Sequence, residues 1–363
     1  MTCVPNSKPT TSKRGQSMQP MRRQGSILIA VALAVMLGVA AMAATGCQHA
    51  SRTLDFRELS EETTPTPQYF WPLTGLEAPD SLIINRRPIS VKIDNDPNAF
   101  PQEGLIDADL VYEIEAEGGI SRFHAIFQST LPNQAGPVRS ARLSDIWVIG
   151  QWDSYLMYSG AAMHVENALS TAGIERINEK RDERIWERVS DRWAPHNLFV
   201  KPVNVPTTAA EYSIETSWTL RALEFDEASF EETPTVTRIV APIGPAQASE
   251  WRWDEIDHTY YRWQREVEHV DAVTDRQINA DNVVVLWANI ENLDVGGMVS
   301  VFKSGVRFDG TWTTLEDGSL HLVDEAGQLL LLNPGKTWFQ IVGMWSEVTV
   351  EPLPLDEPVV VVQ

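Results

Sequence analysis

Cysteine is nearly missing from this chain. Among 363 residues only Cys3 and Cys47 occur. If the chain is cleaved before Cys47 and that thiol carries a lipid, none is left for a disulfide, a CxxC redox pair or a zinc–thiolate site. Positive charge is scarce too, with 29 Lys and Arg against 50 Asp and Glu. Residues 1–46 hold five of the cations and no acid, so the remainder carries 24 against 50, a balance of −26. A surface of that sign repels polyanions, so no nucleic-acid partner is expected and an anionic ligand needs a local basic pocket. GxGxxG, Walker, HExxH and GxSxG patterns are missing as well. Hydride transfer, nucleotide hydrolysis, zincin proteolysis and serine hydrolysis thereby lose their usual signatures, and no cofactor is expected.

What is present begins with an address. Arg22 and Arg23 precede an uncharged apolar run from Ile27 to Ala44, and Ala44-Thr45-Gly46 sets small residues before Cys47. A basic region, an apolar core and a small-residue cleavage site make a secretory signal over 1–46. The cysteine makes it a lipoprotein signal, with Cys47 the lipidated residue and Met1, Met18 or Met21 as the start. An uncleaved membrane anchor is the alternative for a run of this length. The expected location is the outer face of a bacterial cytoplasmic membrane, reached through the lipid on Cys47.

Residues 47–70 contain SEETTPTPQ and little that could form a core, which predicts a flexible tether. From Trp71 the texture alternates. Extended runs are followed by helical patterns over Leu143–Trp152 and Met163–Ala172, the latter stopped by Gly173. This predicts an α/β domain with a mixed sheet over 71–217. From 218 to 350 the pattern changes to strands separated by turn residues, including Ser249–Trp253, Thr259–Gln264, Val283–Asn289, Met298–Lys303, Val306–Thr314, Leu320–Val323, Leu329–Leu332 and Thr337–Val342, which predicts an antiparallel β-rich domain. The fold class is therefore α+β. The tail 351–363 is broken by proline and expected to leave the fold. Trp251, Trp253, Tyr260, Tyr261 and Trp263 are read as packing residues ahead of a sugar-binding surface.

The densest chemistry lies between Pro88 and Arg142. Leu110–Ala116, Glu117-Gly118-Gly119 and Ile120–Gln128 read as a hairpin, because Gly-Gly supplies the positive φ angles of a two-residue turn. Setting Glu117 opposite Ile120 places Glu115 opposite Arg122 and Glu113 opposite His124, all on one polar face. Carboxylates two residues apart on a strand sit roughly 6.6 to 7 Å from each other and repel unless a cation is near. Arg122, Arg139 and Arg142 are the nearest supply. Glu115 and His124 taken alone read as a solvated face. Asp94, Glu113, Glu117, Arg122, Arg139 and Arg142 together read as a candidate polar site, and His196, in a loop with Asn197, is a candidate addition.

The motifs PLTGL (72–76), RRPISVKIDN (86–95), ADLVYEIEAEGGISRF (108–123), GPVRSAR (136–142), APHN (194–197), ADNVVV (280–285) and NPGKTW (333–338) resemble the YerB-like family of bacterial lipoproteins. That resemblance implies an envelope lipoprotein with an amino-terminal and a carboxy-terminal domain, and brings no activity with it. It favours Asp94, Asn95, Glu113, Glu117, Arg122, Arg139, Arg142, His196 and Asn197 as ligand-binding residues. Glu115 and His124 stand where it implies apolar residues, and the segment Tyr158–Ala162 departs from it. The leading expectation is a membrane-anchored binding or scaffolding lipoprotein whose carboxylate and arginine site recognises a polar ligand or an envelope protein. The second is an envelope hydrolase or transferase in which Glu113 or Glu117, with His196 a further candidate, acts as acid or base and the arginines clamp an anion. Asp94 and Glu113 are then weak candidates for a divalent metal.

Overall fold

A computed structural model describes residues 68–179, 182–218, 221–226 and 234–352. The signal region, Cys47 and most of the expected tether and tail lie outside those residues. No described helix is long and apolar enough to cross a membrane.

The main strands are β1 (Ile89–Asp94), β2 (Leu110–Glu115), β3 (Ser121–Phe127), β4 (Tyr155–Tyr158), β5 (Arg176–Asn178), β6 (Trp186–Arg188), β7 (Leu198–Val200), β8 (Val236–Gly244), β9 (Gln247–Asp254), β10 (Thr259–Gln264), β11 (Asn282–Ala288), β12 (Gly297–Lys303), β13 (Val306–Thr314), β14 (Leu320–Val323), β15 (Thr337–Gly343) and β16 (Thr349–Pro352). The helices are α1 (Ser144–Trp152), α2 (Met163–Thr171) and α3 (Val205–Glu211). A ten-stranded mixed sheet in the order β14-β13-β12-β11-β15-β2-β3-β1-β4-β5 forms the centre. A second, antiparallel sheet runs β10-β9-β8-β16, with the short strands Val267–Glu268 and Asn279–Ala280 on β10. The α+β class, with an amino-terminal mixed sheet and antiparallel carboxy-terminal sheets, is the one the sequence predicts.

The central sheet is buried on both sides. On one face Leu110, Tyr112, Ile114 and Ile126 pack with Trp147, Val148 and Trp152 of α1. On the other, Ile89, Val91, Ile93, Val111, Phe123 and Ala125 meet Ile239, Ala241, Ile243, Trp251 and Tyr260 of the second sheet. Residues on either side of 217 therefore share one sheet: β15 lies parallel to β2, with Thr337 opposite Leu110 and Gln340 opposite Glu113. The parallel pairs β11–β15 and β15–β2 qualify the antiparallel expectation for the second half. Such a pair needs a long return connection, which local patterns do not reveal.

Other differences are local. Strand β8 occupies a stretch that reads as weakly structured, because Pro242 interrupts its apolar alternation; the register shifts at Pro242/Gly244, where a bulge accommodates the proline. Leu329–Leu332 forms only the isolated bridges Val323–Leu329 and Phe225–Leu332. Tyr69 and Phe70, expected in the tether, already pair with Ala78 and Glu77, and β16 carries order through Pro352, into the expected tail. Trp251, Trp253 and Tyr260 are buried, as their packing reading requires, whereas Tyr261 and Trp263 are only partly buried.

The expected hairpin exists with its register moved by one residue. Glu115 faces Ser121, Ile114 faces Arg122, Glu113 faces Phe123 and Tyr112 faces His124. The turn holds three residues, not two: Gly118 and Gly119 have φ of 74° and 72°, and Ala116 N–H donates to Ile120 O at 2.8 Å. Because side chains alternate with period two, that one extra residue puts Arg122 and His124 on the face opposite Glu113 and Glu115.

Candidate functional site

Strands β1, β2, β4, β11 and β15 run in the same direction, so their carboxyl ends gather at one pole. In open α/β sheets this is where ligands bind, since loops there are free to carry polar groups. At this pole a cleft of about 370 Å³ is walled by Asp94, Asp96, Glu117, Arg122, Arg139 and Arg142, with Ala116 and Ile120. Asp94 ends β1, Glu117 tops the glycine turn and Arg122 begins β3. The GPVRSAR loop brings Arg139 alongside, its N–H donating to Lys92 O at 2.8 Å.

The cleft is a charge-paired surface. His196 Nδ1 lies 2.7 Å from Asp94 Oδ2, and Arg139 Nε lies 3.3 Å from the same oxygen. Arg142 donates from one terminal nitrogen to Glu117 Oε2 and from the other to Ser140 O and Ala141 O at 3.0 and 2.7 Å. Arg122 is only 9% exposed; it donates to Ser140 O at 3.2 Å and stands 3.5 Å from Glu117. Burial, followed by the charge of Arg142, pushes the Arg122 guanidinium below its ordinary value. For Glu117 partial burial works against ionisation, but the hydrogen bond from Arg142 and the charges of Arg142 and Arg122 outweigh it and hold the carboxyl below its usual range. Glu117 is thus an anionic partner of the arginines at neutral pH, not a stored proton.

Glu113 is elsewhere. On the opposite face, fully buried, it accepts from Arg262 Nη2 at 3.0 Å on both oxygens. It also accepts from Ser121 Oγ at 2.7 Å, Asn95 Nδ2 at 3.2 Å, Gln340 Nε2 at 3.1 Å and Trp338 Nε1 at 3.3 Å. Arg262 is itself 0% exposed, with Trp338 and Phe123 rings 5.0 and 5.1 Å from its guanidinium carbon. It also donates to Gln264 Oε1 at 2.6 Å and to His269 Nδ1. Burial, then the charge of Arg262, holds His269 neutral; its Nε2–H then donates to Gln102 Oε1 at 2.6 Å. Asn95 Oδ1 accepts from Gln264 at 2.7 Å. Glu113 and Asn95 therefore belong to a buried network joining the two halves. Asp94 and Glu113, on opposite faces, cannot share a metal ion, and among the described residues no group of three or more His, Cys, Asp or Glu forms a metal-binding cluster.

The remaining candidates separate as well. Asn197 accepts from Arg188 at 2.9 Å on the β6–β7 hairpin. Glu115 is partly buried beside Gly244. His124, read as solvated, is fully buried: its Nδ1 lies 2.9 Å from Asp145 Oδ1, which also accepts from Lys92 Nζ at 2.6 Å. Burial lowers the His124 pKa, although Asp145 opposes the shift. Asp145 Oδ2 accepts the Arg142 N–H at 2.7 Å, so this buried group fixes the loop from beneath. Sequence reasoning missed Lys92, Asp145, Arg262 and Gln340. Lys92 and Arg262 did leave a signal, since each is a lone cation inside an apolar or aromatic strand, where burial demands a partner.

Known proteins resemble this chain in both of its halves. Residues 73–215 match the family model "Protein of unknown function (DUF3048) N-terminal domain", and residues 239–339 match the corresponding C-terminal domain. A Bacillus subtilis (strain 168) protein described as "Putative lipoprotein YerB" is 27% identical over 285 residues, covering 75% of this chain and 85% of that protein. The crystal structure of YerB protein from Bacillus subtilis superposes with a TM-score of 0.70 at 27% identity, over 77% of this chain and 99% of that one.

Proposed function

From the premise that the chain belongs to the YerB-like family, with its paired DUF3048 domains, we propose that it is a lipid-anchored envelope protein whose arginine cleft recognises an oxyanion on a polar ligand or envelope partner. The observation that carries this reading is the convergence of Arg122, Arg139 and Arg142 on one open cleft in a chain with a large excess of acid. Arginine presents a planar fork suited to carboxylate or phosphate. Recognition is favoured over acid–base catalysis, because Glu113 is sealed among its donors and Glu117 is held ionised.

The anchor would be the lipid on Cys47, at the outer face of the cytoplasmic membrane. Cys47→Ser should abolish labelling by a fatty-acid analogue; persistent wild-type labelling would remove the lipoprotein assignment. For the cleft, the test is Arg139→Gln together with Arg142→Gln. Capture of partner or ligand from the native membrane should be lost while the melting temperature stays nearly constant. Intact capture with a large stability loss would make the arginines structural.

A further inference from the structure

Beside the arginine cleft lies a larger groove of about 790 Å³, within the usual range for small-molecule sites. Its apolar wall is built from Leu143, Ile146 and Trp147 of the α1 region, Val165 of α2, and Ile290 and Leu293 after β11. Leu143 is 52% exposed at the rim of this groove. The two cavities adjoin. Ala116, Glu117 and Arg142 line both, and Glu117 stands where they meet.

Charge is divided unequally along this combined cavity. The cleft sets three guanidinium groups against the carboxylates of Asp94, Asp96 and Glu117. The groove adds Glu115, Glu291 and Asp294 to the shared Glu117 and Arg142, with His164 as its other basic side chain. An anionic group is therefore repelled from the groove end, whereas in the cleft, once it takes the place of Glu117, it meets three guanidinium groups against two carboxylates; an apolar chain finds cover only in the groove. The place an oxyanion would take is already held by one of the protein's own. Glu117 Oε2 accepts from Arg142 and stands 3.5 Å from Arg122. Its side chain is 66% exposed and sits on a turn whose Gly118 and Gly119 both have positive φ, so it can swing out with little steric cost.

We propose that cleft and groove form one site for an anionic amphiphile, its phosphate or carboxylate head displacing the Glu117 carboxylate from Arg122 and Arg142 and its apolar chain lying along Leu143, Ile146 and Val165. This rests on the oxyanion reading of the cleft and adds the ligand's second half. The exposed leucine is then half of a contact, and Glu117 a built-in competitor that keeps the arginines ordered when no ligand is bound.

The experiment uses residues 47–363 with Cys47→Ser and calorimetric titration with three probes, all below micelle formation: inorganic phosphate, decyl phosphate and decyl maltoside. Decyl phosphate should bind at least about tenfold more tightly than either of the others, the gain expected from burying about two methylene groups beyond the head contact. Hexyl, octyl and decyl phosphate should rise in affinity in that order. Glu117→Gln should tighten both phosphates by removing the competitor. Leu143→Asn, which removes the apolar contact without adding charge, should return decyl phosphate toward the inorganic phosphate value without changing the latter. A flat chain-length series overturns the proposal, as does weaker binding in Glu117→Gln. If inorganic phosphate binds and is lost in the Arg139→Gln/Arg142→Gln pair while the alkyl chain adds nothing, the oxyanion reading stands and the amphiphile falls. If neither phosphate binds, the amphiphile falls and the membrane-capture test decides the cleft.

Discussion

Two acid–arginine clusters stand on opposite faces of the same three strands, and their surroundings give them opposite properties. Glu113 and Arg262 are both 0% exposed, and side-chain donors from both halves surround the carboxylate. Glu117 and Arg142 are joined by a comparable ion pair, but the carboxylate is 66% exposed and the arginine 23%. In the first case desolvation has been met by a dense shell of partners, so losing one leaves a buried charge uncompensated. In the second, water can replace either partner. Similar residue types thus form an internal fastening on one face and an exchangeable surface on the other.

The comparison breaks most decisively at the fastening. Arg262→Met or Glu113→Ala alone should cost about 3 to 5 kcal/mol in urea unfolding of residues 66–363, while a Glu113→Gln/Arg262→Met pair should recover a good part of that loss. Additive losses would mean that the charges are not coupled.

Of the two buried histidines, His124 and His269, the second belongs to the fastening and gives the same contrast a pH signature. The His269 pKa is lowered on folding, so below the unfolded-state value of about 6.5 the unfolded chain binds a proton that the folded chain does not. Its contribution is complete above that pH and is lost as pH falls through and below it. Urea midpoints at pH 7 and 5 should therefore differ less in His269→Asn than in the parent. Asp109, raised to about 6 by burial despite its hydrogen bonds from Ser129 and Gln128, works in the opposite sense between about 4 and 6 and is common to both chains. An equal pH dependence would assign the acid sensitivity to other groups.

A nick tests whether the fastening holds the halves together. Limited proteolysis should cut between α3 and β8, in residues 212–235, where proline and acid gather, and the two fragments should still co-elute, because β15 remains paired with β2 and Arg262 with Glu113. Separation of the fragments under native conditions would show that the halves are independent units. The smallest effect belongs to the cleft: Glu117→Gln should change stability by about 1 kcal/mol or less. A loss as large as that at Glu113 would erase the distinction drawn between the two clusters.

Sequence alone determined whatever depends on neighbours along the chain. The strands β11 to β15, the helices α1 and α2, the glycine turn and the grouping of Asp94 with Arg122, Arg139 and Arg142 were all legible, because periodicity and turn chemistry are local. The fate of Glu113 was not. Its face depended on whether the turn held two residues or three, and its partners lie well over a hundred positions away: Trp338 and Gln340 arrive on β15, paired parallel to β2, and Arg262 on β10 of the second sheet, neither of which leaves a local mark. His124 differs for the same reason: alternation implies one wet face, yet a central strand between a helix and a second sheet has none. Only tertiary structure decided which acids are sealed and which are open, because burial is set by what packs across a strand and not by the strand itself.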